Sequence, residues 1–99
     1  MPGPLRFEWD PRKAAANLRR HRVSFEDAST AFYDDDAILI DDPDHSQTED
    51  RLVLLGLSAR LRVLVIPHAY RKGGNVIRII SAWKAGRFDR QDYFGRFSP

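Results

Sequence analysis

R-L-V-L-L-G-L-S-A-R-L-R-V-L-V-I-P-H-A-Y-R-K-G-G-N-V-I-R-I-I-S-A-W-K, residues 51–84, is the stretch whose reading decides the fold. Its apolar runs, rich in Val, Ile and Leu, are separated by short breakers, which reads as three strands. Gly73-Gly74 tolerates positive φ at both positions of a two-residue hairpin loop, so residues 62–72 are expected to fold back antiparallel on residues 75–84. That turn sets His68 opposite Ile79, Tyr70 opposite Ile77 and Ile66 opposite Ser81. Side-chain alternation then puts His68, Tyr70 and Ser81 on one face and Val65, Arg78 and Ile80 on the other. Ser58-Ala59-Arg60 supplies a looser turn between the first two runs. A short meander alone is barely stable in water, so its apolar face needs the helices that precede it.

Working outward, Leu5 to Trp9 alternates apolar and polar residues and predicts a short edge strand. Asp10-Pro11 is a helix start: the carboxylate caps free N–H groups, and Pro sits where no N–H is required. The helix Pro11 to His21 offers Ala14, Ala15 and Leu18 as a narrow buried stripe. Lys13, Asn17 and His21 lie in line on its other face at i, i+4 and i+8, beside Arg12, Arg19 and Arg20. Either that face is simply solvated or it faces RNA. Ser24 followed by Asp27 is a capping-box variant, and Phe25, Ala28 and Phe32 recur at helical spacing, predicting a second helix over Ser24 to Tyr33. Ala37 to Ile40 is a short β-type run, and Asp41 to Asp50 is an acidic loop interrupted by Pro43. Arg87 to Phe94 is a last helix ending near Gly95. The order β-α-α-β-β-β-β-α predicts an α+β fold, an antiparallel sheet packed by N-terminal helices and a C-terminal helix, in a single domain 1–99.

Composition narrows the function classes. Ninety-nine residues suffice for one modest core, and the absence of cysteine excludes a disulfide scaffold or thiolate metal site. Nothing resembles a signal peptide or membrane span, so a cytoplasmic location is expected, with no membrane partner. Charge is unevenly distributed. Glu26 to Asp50 holds ten carboxylates and no Lys or Arg, whereas the rest holds all 16 Lys and Arg against Glu8, Asp10, Asp89 and Asp92. One surface suited to a polyanion and another suited to a basic partner would account for this, as would two solvated faces.

Individual residues bear chemistry within that frame. His68 follows Val63 to Ile66 and is either a proton shuttle or a hydrogen-bonded core residue. Arg78, inside V-I-R-I-I, requires acceptors if buried, and its planar fork suits phosphate. Lys84, Arg87 and Arg90 extend a cationic rim, with Trp83 and Tyr93 placed to stack on bases or to pack the core. Asp42, Asp44 and His45 have metal-donor types, but a loop rich in Asp is ordinarily solvated. No P-loop, Rossmann glycine pattern, zinc motif or G-x-S-x-G elbow is present.

F-E-W-D-P-R-K-A-A-A-N-L-R-R-H-R-V-S-F-E-D-A, D-P-D-H-S and R-I-I-S-A-W-K-A, in that order before a charged helix, resemble the BrnT family of type II toxins. The resemblance runs from Phe7 to Tyr93. It implies a RelE-like ribonuclease fold, RNA cleavage that inhibits translation, and neutralisation by a BrnA-type antitoxin with a ribbon-helix-helix domain. The complex of the two would repress its own promoter DNA. The family's first motif falls on Trp9, Asp10, Lys13, Asn17, Arg20 and His21. The strand motif falls on Arg78, Ser81, Ala82 and Lys84, and the helix tyrosine on Tyr93. The family commonly has Gly where this chain has Arg22, and Arg where it has Trp83.

The resulting expectation is a metal-independent endoribonuclease without cofactor. His68 or His21 would shuttle protons, with Arg78, Lys84 and Lys13 on phosphate and Arg20, Ser81, Trp83, Arg87, Arg90 and Tyr93 along the RNA. Two alternatives stand beside it: a non-catalytic module that only binds the antitoxin and co-represses the promoter, and a plain single-stranded RNA binder. The acidic Glu26 to Asp50 segment is expected to receive a basic antitoxin arm.

Overall fold

A computed structural model of the chain describes residues 5–42, 51–71 and 75–97. The Gly73-Gly74 turn, Asp44 and His45 lie outside these residues. The strands are β1 (Arg6–Glu8), β2 (Ile38–Asp41), β3 (Arg51–Leu57), β4 (Val63–Arg71), β5 (Val76–Ile79) and β6 (Trp83–Lys84). The helices are α1 (Pro11–His21), α2 (Phe25–Thr30), which runs on into a 3-10 turn over Ala31–Tyr33, and α3 (Arg87–Gly95). The fold is α+β, with strand order β1-β5-β4-β3-β2 and β6 paired to β4. The sheet is antiparallel except at one edge, where β1 runs parallel to β5. The expected antiparallel sheet packed by helices holds apart from that edge, where α1 and α2 intervene between β1 and the meander, so β1 arrives by a crossover rather than a hairpin.

Two layers of cover bury the sheet. On one face Leu64, Ile66, Ile77, Ile79 and Ala82 meet Val23 of the α1–α2 link, Phe25 and Ala28 of α2 and Ala31 of the 3-10 turn. Full burial of a side chain such as Phe25 contributes on the order of 1.5–3 kcal/mol. On the other face Leu55, Val63 and Val65 pack against Tyr93 of α3. Gly56 lets the 3-10 turn approach β3, since a Cβ there would stand 3.0 Å from the Ala31 carbonyl oxygen.

His68 pairs with Ile79 and Tyr70 with Ile77, as the two-glycine turn predicts. The expected pairing of Ile66 with Ser81 does not form. Pro67 offers no N–H, and its carbonyl accepts from both Ile80 (3.0 Å) and Ser81 (3.4 Å), so two residues oppose one. This β-bulge shifts the register by one, and β6 continues with Val65 opposite Trp83 and Leu64 opposite Lys84.

Helix ends follow local chemistry. Asp10 caps α1 by accepting from the Arg12 N–H at 2.8 Å. Ser24 caps α2 through the Asp27 N–H at 3.0 Å, but the reciprocal half of the predicted capping box is absent. The Asp27 carboxylate instead accepts from Arg62 (2.8 Å) and Ser58 (2.9 Å), tying α2 to the β3–β4 turn. The expected apolar stripe of α1 is also corrected. Ala15 and Leu18 are exposed, Ala14 is half-buried, and the residue of α1 that is buried is the polar Asn17.

Candidate active site

Asn17 is 7% exposed and uses its whole amide. Its Nδ2 donates to the Val23 carbonyl at 3.0 Å and to the Ala82 carbonyl at 2.8 Å. Its Oδ1 accepts from the Ser81 hydroxyl at 2.9 Å and from the Ala82 N–H at 3.2 Å. A buried polar group satisfied this completely fixes its neighbours. It binds α1 to the bulged segment, so the two elements form the walls of one concavity.

That concavity has two adjoining parts. The larger, about 700 Å³, is lined by Arg20, His21, Arg22, Ser81, Trp83 and Lys84. The smaller, about 180 Å³, shares Arg20, His21 and Ser81 and adds Lys13, Asn17 and Ile80. The aligned positions Lys13, Asn17 and His21 therefore face the groove, with Asn17 at its floor. The His21 and Trp83 rings pack with centroids 5.9 Å apart, so the indole limits how the imidazole can turn. Arg22 ends α1 in the left-handed conformation (φ 60, ψ 30), its N–H bonded to the Leu18 carbonyl. A glycine, which the family resemblance implies at this position, would adopt this positive φ without strain.

Other expected site residues lie elsewhere. His68 is 0% exposed, within the layer under the N-terminal helices. Its ring packs edge-on against Phe32 and Tyr70, at centroid distances of 4.8 and 5.5 Å. Burial lowers its pKa, partly opposed by the contact of Nδ1 with the Ile66 carbonyl at 2.8 Å. Because a carbonyl can only accept, Nδ1–H donates, and Nε2 has no partner among the described residues. Arg78 lines neither part of the groove: parallel pairing sets Glu8 beside it, and the carboxylate lies 3.6 Å from Arg78 and 3.3 Å from Arg71. Arg87 and Arg90 are exposed on α3, Arg90 lying over the Phe94 ring at 5.4 Å.

Tyr93 is 2% exposed, and its hydroxyl donates to Asp34 Oδ2 at 2.5 Å. Burial, followed by this bond and the Asp34 charge, pushes its pKa up to about 12. It serves the second core and is not open to a base. Among the described residues no group of three or more His, Asp or Glu is placed to hold a metal ion.

Arg22 is the charged groove residue that the expected site omitted. It falls one position beyond His21, outside the helical line, and its signal was the substitution at a glycine position.

A family model described as "Ribonuclease toxin, BrnT, of type II toxin-antitoxin system" matches residues 9–89. The fold is similar to the 1.1 Å crystal structure of the Brucella abortus ribonuclease toxin BrnT. The TM-score is 0.64 at 20% identity, covering 85% of this chain and all of that one (100%). No curated protein matches the sequence significantly.

Proposed function

The chain belongs to the BrnT family of ribonuclease toxins of type II toxin–antitoxin systems, and from that premise we propose that it cleaves RNA in the groove between α1 and the Ser81–Lys84 segment. The carrying observation is that one concave surface joins an accessible imidazole, His21, to Lys13, Arg20, Arg22 and Lys84, with an indole at its wall. In this scheme the His21 imidazole takes the proton of a ribose 2′-OH. The 2′-oxygen attacks phosphorus, the bond to the 5′-oxygen breaks, and that oxygen leaves with a proton from water or Lys84. The products are a 2′,3′-cyclic phosphate and a 5′-hydroxyl. Lys84, Arg20 and Arg22 counter the charge that builds on phosphorus, and Trp83 stacks on a base. Electrostatic stabilisation of this kind is the largest single contribution in many enzymes.

The reading includes cleavage without a metal ion, arrest of translation in the cytoplasm, and neutralisation by a BrnA-type ribbon-helix-helix antitoxin whose complex with the toxin represses promoter DNA. His68 and Tyr93 have no place at the reacting atoms, because neither has surface to offer. Arg78 is assigned to the Glu8 ion pair rather than to phosphate.

Purified protein incubated with labelled RNA, with and without EDTA, tests this. Shortened products that persist in EDTA and disappear in His21→Asn are expected. RNA retained without shortening would mean a binding module. Cleavage lost in EDTA would overturn the metal-free scheme.

A further inference from the structure

The face opposite the N-terminal helices carries a second groove that shares no lining residue with the first. Its floor is Ile38 and Ile40 of β2, Val53 and Leu55 of β3 and Val65 of β4, and its rim is Asp89 and Asp92 of α3. β2 is the last strand of the sheet, with no strand neighbour beyond it among the described residues, and Ile40 is 53% exposed. Phe88, 76% exposed, stands one helical turn before Asp92. Asp89 and Asp92 are exposed and have no ion-pair partner among the described residues. An apolar floor left open beside unpaired carboxylates is unusual for a free surface and is the chemistry of a partner site. Charge selects the partner. RNA and anionic membranes are repelled by the rim, whereas a chain with Lys or Arg flanking apolar residues satisfies rim and floor together.

We infer that this groove is where the antitoxin docks, through an amphipathic segment whose apolar residues cover Ile38, Ile40 and Val53 and whose basic residues meet Asp89 and Asp92. The inference rests on the toxin–antitoxin reading and adds a location to it. A segment seated there does not itself cover the cationic groove, so neutralisation acts from a distant face or through another part of the antitoxin.

The test uses the full-length toxin and its co-expressed cognate antitoxin, separated and titrated against each other by calorimetry. RNA cleavage by the free toxin is measured in parallel. Asp89→Lys/Asp92→Lys and, separately, Ile40→Glu should weaken antitoxin binding roughly tenfold or more and leave cleavage unchanged. Glu26→Lys/Asp35→Lys lies in the acidic segment that the sequence alone offered to a basic arm but outside this groove; it makes the same change in net charge and should bind within about twofold of wild type. Unchanged affinity in the groove variants, an equal loss in the Glu26/Asp35 control, or no binding by wild type would each overturn the inference. A wild-type toxin that cleaves nothing, yet loses antitoxin affinity only in the groove variants, would sustain the docking site while refuting the nuclease reading.

Discussion

The Ser81 hydroxyl donates to Asn17 Oδ1 at 2.9 Å, joining α1 to the β-bulge across 64 residues of sequence. The bulge exists because Pro67 lacks an N–H, and the amide of Asn17 reads the backbone that the bulge exposes at Ala82. One packing decision in β4 thus sets the width of the groove.

Asn17→Ala should therefore damage both stability and activity. It leaves the Val23 and Ala82 carbonyls without the side-chain donor, and we expect a loss of about 2–4 kcal/mol in urea unfolding, since each buried polar group stranded this way costs about 1–3 kcal/mol. Asn17→Asp keeps the size but turns the donor into an acceptor facing two carbonyls, and should be no better. Because Asn17 positions the walls, the surviving folded fraction should show a reduced kcat with the pH profile unshifted.

His21 and His68 should separate cleanly. His21→Asn should lower cleavage by roughly 10²- to 10⁴-fold with RNA binding largely kept, the range for loss of a proton-transfer group. His68→Gln should instead act on stability. Burial holds its folded pKa below the ordinary imidazole value of 6.5, so the unfolded chain binds the extra proton as pH falls. Wild-type stability should be full above about pH 6.5 and decline as pH drops toward the folded value, and His68→Gln should lose that slope while keeping the pH profile of cleavage. A changed cleavage profile in His68→Gln would place this buried ring in the reaction after all.

The sheet register was legible because a two-residue turn leaves only one pairing of β4 with β5, and His68–Ile79 and Tyr70–Ile77 obey it. The same logic fails at Ser81, since a proline inside a strand signals a bulge without saying how many residues it inserts. Lys13, Asn17 and His21 were found as a line on one helix, but the periodicity of α1 assigned its burial to alanines and a leucine. Tertiary contact overrode that pattern, because an amide with four partners is cheaper to bury than its hydropathy implies. For Tyr93 the resemblance marked a position and could not distinguish a ring that touches RNA from one whose hydroxyl serves Asp34.

Arg22→Gly should trade function for stability. A non-glycine residue in the left-handed region costs about 1–2 kcal/mol, offset in part by the greater freedom of glycine in the unfolded chain. A net gain of about 1 kcal/mol is expected in thermal or urea unfolding. The same change removes a cation from the groove, so RNA affinity should fall and its dependence on salt should become shallower. Leu61, at φ 63 and 79% exposed in the β3–β4 turn, provides the control: Leu61→Gly should give a comparable gain in stability with RNA binding untouched.

Tyr93→Phe should loosen α3. The hydroxyl's bond to the Asp34 carboxylate is charge-assisted and buried at the Tyr93 end, and its loss should cost about 1.5–3 kcal/mol. The pH dependence has two limbs of opposite sign. For Asp34, burial acts to raise the pKa but is outweighed by the Tyr93 hydroxyl, the Leu57 and Asp36 N–H groups and the Arg96 charge, so the folded value lies below 3.8. Its contribution is present above that pH and is lost as pH falls through the folded value. Tyr93 shifts the other way, from 10.0 to about 12, so its contribution is complete below pH 10 and disappears as pH rises toward 12. Tyr93→Phe should abolish the alkaline limb and flatten the acid one, leaving Asp34 with its backbone donors alone. An unfolding curve against pH in which both limbs match wild type would show that the Asp34–Tyr93 bond does not hold α3 to the sheet.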